Sequence, residues 1–322
     1  MKTLPYRNLW KWVGTGLLLL IVPVLVRDPY YLHLINMSGL SILLAASLNL
    51  ITGFLGELNL GHAAFYGVGA YASALLTMRL HLPFLLTLPV ASLLAAFSGA
   101  LIAYPCLRLK GPYFAIATFG YGEIVRLILH NWDTLTNGPL GLRGIPGPAG
   151  FINSKVEYYY FILTIVALSL LAIWRLLHSQ LGRTFWAVRQ DSVVLAEMIG
   201  INSTRVKVLA FMVAAYFAGV AGSLYAHYLR FISPDTFSFL ESSTALAMVI
   251  VGGLGTFWGP VLGAILFTWL PELLRSVSEY RMIFYGLLLW GSITFLPQGI
   301  SGFLESRIRK NCTTGVARDA HS

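Results

Sequence analysis

The 322-residue chain is 57% hydrophobic and only 11% charged, with mean hydropathy +0.73 and net charge +9. Soluble domains carry about 25% charged residues, which excludes a cytosolic enzyme, a disordered tail protein and a nucleic-acid binder. What fits is a polytopic membrane protein.

Lys2, Arg7 and Lys11 precede the first apolar run. No small-x-small cleavage site follows it; the run ends in Arg27-Asp28-Pro29 and reads as an uncleaved first helix. Apolar stretches of spanning character lie near 10–26, 32–52, 62–78, 83–106, 112–130, 158–176, 207–229, 240–252, 259–275 and 282–297. The third is rich in small residues, and the eighth is short for a full crossing. The expected fold is all-α: a polytopic transmembrane helical bundle of about ten spans (8–10), with discontinuous glycine-rich helices. Residues 1–322 form a single membrane domain, since neither long loop, 131–157 nor 177–206, has room for a separate globular unit.

Five segments carry information beyond hydropathy. In Thr52–Tyr71, glycines 53, 56, 61, 67 and 69 interrupt an apolar region. Glycine costs a helix about 1 kcal/mol relative to alanine, and broken helices at membrane depth occur where the backbone is buried in protein or lines a cavity. The segment is either a discontinuous helix beside a translocation path, with Glu57, Asn59 and His62 as polar lining, or a tight helix-packing surface. In Lys110–Arg126, Pro112 suits a first helical turn. Glu123 and Arg126 share a helix face, as an internal ion pair or as substrate contacts. Thr136–Pro148 is rich in Gly and Pro and reads as turns, either a docking surface for an external partner or a plain loop.

Gln190–Arg205 reads as a short helix with Asp191 as N-cap and Gly200 as its stop, followed by Asn202 or Ser203 capping the next helix. Val194 pairs with Met198 on one face and Leu195 with Ile199 on another. Such a helix lies on the lipid surface or fits a groove in a partner protein. The fifth segment, Val251–Pro260, is a second glycine-rich break between spans. Paired breaks in corresponding places of two halves point to a transporter core, although the two sequences are only slightly alike.

With ten spans and the N-terminus inside, fourteen basic residues fall in cytoplasmic segments and seven in external ones, with Arg126 inside a span. That bias places both termini in the cytoplasm, the second as a tail at 298–322. Cys106 and Cys312 form neither a disulfide nor a metal framework. No lysine follows a glycine, so there is no phosphate-binding GxxxxGK[ST] loop, and HExxH, GxSxG and DxDxDG are absent. The sequence offers no catalytic residue, no metal set and no cofactor motif. The few intramembrane acids make a thin proton relay, which weighs against a proton-driven secondary transporter.

Taken together, GFLGELNLGHAAFYGVGAYASALL, LKGPYFAIATFGYGEIVR, TNGPLGLRGIPGP, AEMIGINSTRVKVLAF and GGLGTFWGPVLGA resemble the permease subunits of bacterial ABC importers for branched-chain amino acids, from about Leu40 to Gly302. The 177–206 loop resembles the coupling motif of such importers, EAA, three further residues, then Gly. Ala196 and Gly200 match the second Ala and the Gly, while Val194 stands where the Glu belongs and Leu195 where the first Ala belongs. The resemblance implies a multi-pass protein of the bacterial inner membrane. Its partners would be two ATPase subunits, a second related permease, a periplasmic substrate-binding protein and membrane lipid, with no nucleic acid. The cargo would be branched-chain or related hydrophobic amino acids, or in related importers urea, short amides or other amino acids. Gln190, Asp191, Val194, Ala196, Met198 and Gly200 are then the expected ATPase-coupling helix. Glu57, Asn59, His62, Tyr66 and Glu123 are the expected path residues.

Overall fold

The computed structural model describes residues 28–106, 109, 111–148, 154–189, 198, 200, 202–273 and 299–302, together with positions 23, 286, 287, 290, 291 and 294. Nine helices of eight or more residues are described: α1 Pro29–Asn49, continued by a π-helical turn at Leu50–Leu55, α2 His62–Leu80, α3 Phe84–Cys106, α4 Pro112–Asn131, α5 Lys155–Leu177, α6 Gln180–Arg189, α7 Ser203–Leu229, α8 Phe239–Gly252 and α9 Gly259–Leu273. Eight of the ten expected stretches correspond to helices. The first and last, near 10–26 and 282–297, lie outside the described residues or are described only at isolated positions. Among the described residues, four runs are both long and apolar enough to cross a membrane: Pro29–Leu55, Phe84–Cys106, Lys155–Leu177 and Ser203–Leu229.

Local chemistry sets where the helices begin. The Asp28 carboxylate caps α1 by accepting from Tyr30 N at 2.9 Å, with Pro29 next. Pro112 opens α4. Ser154 and Glu157 form a reciprocal capping box on α5. Asn202 caps α7 by accepting from Arg205 N at 3.0 Å, as its position predicts.

The centre is a triangle of α2, α3 and α7, with α1 against α5, α7 and α9. Its seams are built from small residues. A Cβ on Gly69 would strike the Gly219 backbone, one on Gly99 would sit 2.7 Å from the Ala215 methyl, and one on Gly222 would meet the Tyr66 carbonyl. Such close approach is how helices associate where lipid tails are as apolar as leucine. Helix α3 shows the rule inverted from a soluble protein. Ala91, Ser92, Ala95, Ala96 and Gly99 face inward, whereas Leu85, Leu86, Leu93, Phe97 and Leu101 stand exposed. An apolar face of that size is a lipid-facing surface.

One end of the bundle carries the loops. Lys155 Nζ donates to Pro29 O at 3.1 Å, and Arg79 donates to Thr134 O. Thr136–Pro148 forms turns, as expected from its Gly and Pro content, and among the described residues it also makes the one strand pairing: a two-residue antiparallel ribbon, β1 Leu142–Arg143 against β2 Phe231–Ile232. Buried His227 holds this loop down, donating from Nδ1 to Pro146 O at 2.7 Å and leaving Nε2 to accept from Ser73 Oγ at 3.0 Å. The opposite end carries the two glycine-rich breaks, α6 and the start of α7.

Candidate functional site

The first break, residues 56–61, is non-helical and climbs back into the bundle. Helix α2 starts beside Ser47, eight residues before the helical run of α1 ends at Leu55, which is roughly 12 Å along the axis. Backbone at this depth needs internal partners for its polar groups. Glu57 N bonds Ile51 O at 3.2 Å, and Leu60 N bonds Thr118 Oγ1 of α4 at 3.1 Å. Gly61 N bonds Asn59 Oδ1 at 3.0 Å, and Ala63 N bonds Ser242 Oγ of α8 at 2.9 Å. Gly61 is required by space, because any Cβ there would collide with the Thr118 carbonyl.

Asn59 and His62, both fully buried, belong to this satisfaction of the break. Ser47 Oγ gives its proton to Leu44 O at 2.7 Å, so His62 Nε2–H donates to Ser47 Oγ at 2.8 Å. His62 Nδ1 is left to accept from Asn59 Nδ2 at 3.4 Å. Tyr66, also buried, sits in an aromatic cluster with Tyr225 and Phe237. Gly67 and Gly69 lie within α2 and serve packing, against Phe237 and Gly219. The two readings of this segment therefore divide along it: Gly53, Gly56 and Gly61 shape the break, and the later glycines form a seam.

The α2 and α8 N-termini meet at a shallow cleft against α4. Leu60, Ala63, Phe119, Glu123, Phe239 and Ser242 are among its lining, with Phe119 and Phe239 meeting edge to face at 5.0 Å between centroids. Glu123 does pair with Arg126, Nε to Oε2 at 2.8 Å, and the guanidinium also reaches Asp235 at 3.3 Å. Of the five expected path residues, Glu123 alone borders the cleft. Helix α4 buries only Phe114, Ala115 and Thr118 and leaves Tyr113, Ile116, Ile124, Leu127 and Ile128 exposed around these charges.

The second break, residues 253–258, lies against the end of α1 that leads into the first. Asn49, the last α-helical residue of α1, donates to Thr256 O at 2.8 Å and accepts from Gly255 N at 3.0 Å. Thr256 Oγ1 contacts Ser301 Oγ at 2.7 Å, which brings the start of the expected tail to this end. Glu57 pairs with Lys207 of α7 at 2.5 Å, and both side chains are largely buried. The Arg189 side chain, at the end of α6, fills the space beside both breaks. It lies 3.0 Å from a Cβ placed on Gly56 and 2.7 Å from one on Gly255, and its guanidinium rides over the Trp186 ring at 5.2 Å. Trp186 in turn packs edge-on to Phe54.

Of the expected coupling helix, Gln190, Asp191, Val194 and Ala196 lie outside the described residues. Met198 is helical and 80% exposed, and Gly200 has φ +80°, the left-handed conformation of a helix stop. Sequence reasoning missed Asn49, Thr118, Arg189, Lys207, Asp235 and Ser242. The one signal available for Asn49 and Thr118 was a polar side chain inside an apolar run, and Ser242, within Glu241-Ser242-Ser243-Thr244, had none.

The sequence matches the family described as "Branched-chain amino acid transport system / permease component" over residues 30–293. It is 38% identical to the high-affinity branched-chain amino acid transport system permease protein LivM of Escherichia coli, over 82% of this chain and 68% of that one. It is 27% identical to the LivH permease protein of the like-named system of Salmonella typhimurium, over 81% and 90%. It is also 27% identical to the autoinducer 2 import system permease protein LsrC of that organism, over 70% and 64%. No solved structure matches. A helical membrane bundle without a recognisable catalytic motif, matched along most of its length, places the chain in the branched-chain amino acid ABC importer family as a permease subunit.

Proposed function

We propose that the chain forms half of the membrane path of an ATP-driven importer for branched-chain or related hydrophobic amino acids. A periplasmic binding protein delivers the cargo, a second related permease completes the path, and two ATPase subunits supply the energy. The observation that carries this reading is the similarity to LivM along 82% of the chain. The similarity to LivH supports a related permease as partner. Helix α4 supports a paired arrangement, because charges at membrane depth face protein or water rather than lipid. Glu123 then borders the path, while Asn59, His62 and Tyr66 act from behind it and Glu57 holds the break. Residues 190–201 dock on an ATPase subunit, and both termini are cytoplasmic.

The test is uptake by the complete complex in proteoliposomes with labelled leucine. Uptake should require ATP and stop with hydrolysis-dead ATPase subunits; uptake that persists with them overturns the mechanism. A second cargo reading rests on LsrC, whose system carries a different molecule by its name. Competition by isoleucine and valine, but not by urea or short amides, favours the first.

A further inference from the structure

The structure assigns a positioning role to Arg189: it is the wedge through which movement of the 190–201 segment reaches both glycine-rich breaks. The inference rests on the proposed docking of that segment to an ATPase subunit. Three observations support it.

Arg189 is the last residue of α6 and adjoins the segment directly. Its side chain lies beside Gly56 (φ +81°) and Gly255 (φ +72°), two left-handed glycines where a methyl group would meet the Arg189 side chain itself. Both breaks are therefore shaped around this one side chain. The second break is also tied to the helical turn that leads into the first, through Asn49 and through the close approach of Gly53 to Gly255.

The path onward is short. Four residues beyond Gly56, Leu60 hangs on Thr118 of α4, and Ala63 hangs on Ser242 of α8. Those contacts frame the cleft. Displacing Arg189 changes the space at Gly56 and Gly255 together. The planar guanidinium suits the task, because it stacks on Trp186 while its end reaches the second break.

The experiment uses the complete importer complex in proteoliposomes. Arg189→Ala should lower cargo uptake per ATP hydrolysed about tenfold, within the ordinary range of coupling between two sites. Arg189→Lys, which keeps charge and most of the length, should recover part of that loss. Spin labels at Leu58 and Leu254, one in each break and both exposed, give an independent readout. Their separation should shift between nucleotide-free and nucleotide-trapped complexes, and the shift should vanish in Arg189→Ala. Should Arg189→Ala not assemble, the same distance measured in Arg189→Lys decides. A full shift with an unchanged uptake-to-ATP ratio overturns the wedge. A cysteine at Met198 separates this from failure of the underlying reading. If it does not cross-link to an ATPase subunit, the docking reading falls and the wedge with it; if it cross-links while Arg189→Ala couples normally, only the wedge falls.

Discussion

At the residue scale, two kinds of position carry opposite expectations. Glu57 and Lys207 form a largely buried pair. Removing one partner strands a charge and costs roughly 3–5 kcal/mol, whereas removing both costs much less. Lys207→Met should therefore lower the thermal midpoint in detergent far more than Glu57→Gln/Lys207→Met, and equal drops would contradict the assignment. Glycines divide in the same way. A Cβ on Gly219 falls 2.7 Å from the Ala95 methyl and 3.0 Å from Ser92 Cα, while one on Gly120 meets nothing within 4 Å. Gly219→Ala should destabilise by about 1–3 kcal/mol through overpacking. Gly120→Ala, in the same thermal assay, should be neutral or stabilising by up to about 1 kcal/mol.

At the element scale, Gly200 ends the segment beyond α6 in a conformation proline cannot adopt. Gly200→Pro, and independently Ala196→Arg, should cut uptake while ATP hydrolysis by the complex continues; normal uptake in both removes the docking assignment. Much of this level was legible. Pro112, Asn202 and Gly200 stand in sequence where helix chemistry puts them, and the glycines announced both breaks. The break's supports were not legible, for a physical reason. Thr118 and Ser242 are small hydroxyl residues, and their role exists only once α4 and α8 lie beside residues 60–63. The α3 pattern was hidden too: leucine faces lipid and alanine faces protein, so both sides read as apolar and no amphipathic period marks the buried face. Tyr66, Asn59 and His62 looked like path lining because polar groups amid glycines suggest a cavity; their burial, with His62 against Ser47 of α1 and Tyr66 against Tyr225 of α7 and Phe237, was decided by packing.

At the scale of the whole molecule, the two ends differ in charge and in structure. The breaks, α6 and the start of α7 share one end with the basic excess expected of cytoplasmic loops. In a variant lacking Cys106 and Cys312, a cysteine at Leu140 should react with an impermeant maleimide applied from the periplasmic side. A cysteine at Leu181 should react only after the membrane is opened. Both residues are exposed, at 65% and 43%, so access decides the outcome and not burial. The reverse labelling would invert the orientation. The helical membrane fold follows from composition, the expected orientation rests on charge alone, and the cargo follows from neither: no acid, base or aromatic identified by sequence alone places a binding site.

The climbing backbone of residues 56–61 has a consequence for kinetics. Its return into the bundle is held at Leu60 N by Thr118 of α4, at Gly61 N by Asn59 within the break, and just beyond it at Ala63 N by Ser242 of α8. A strand of chain tied in this way cannot creep. To move by a fraction of an ångström it must release several bonds in a medium offering no substitute, and it regains them only on reaching a second complete set of partners. Turnover at this joint should consequently proceed as switching between long-lived discrete states, with dwell times that single-molecule distance traces resolve as steps, and not as a continuous swing.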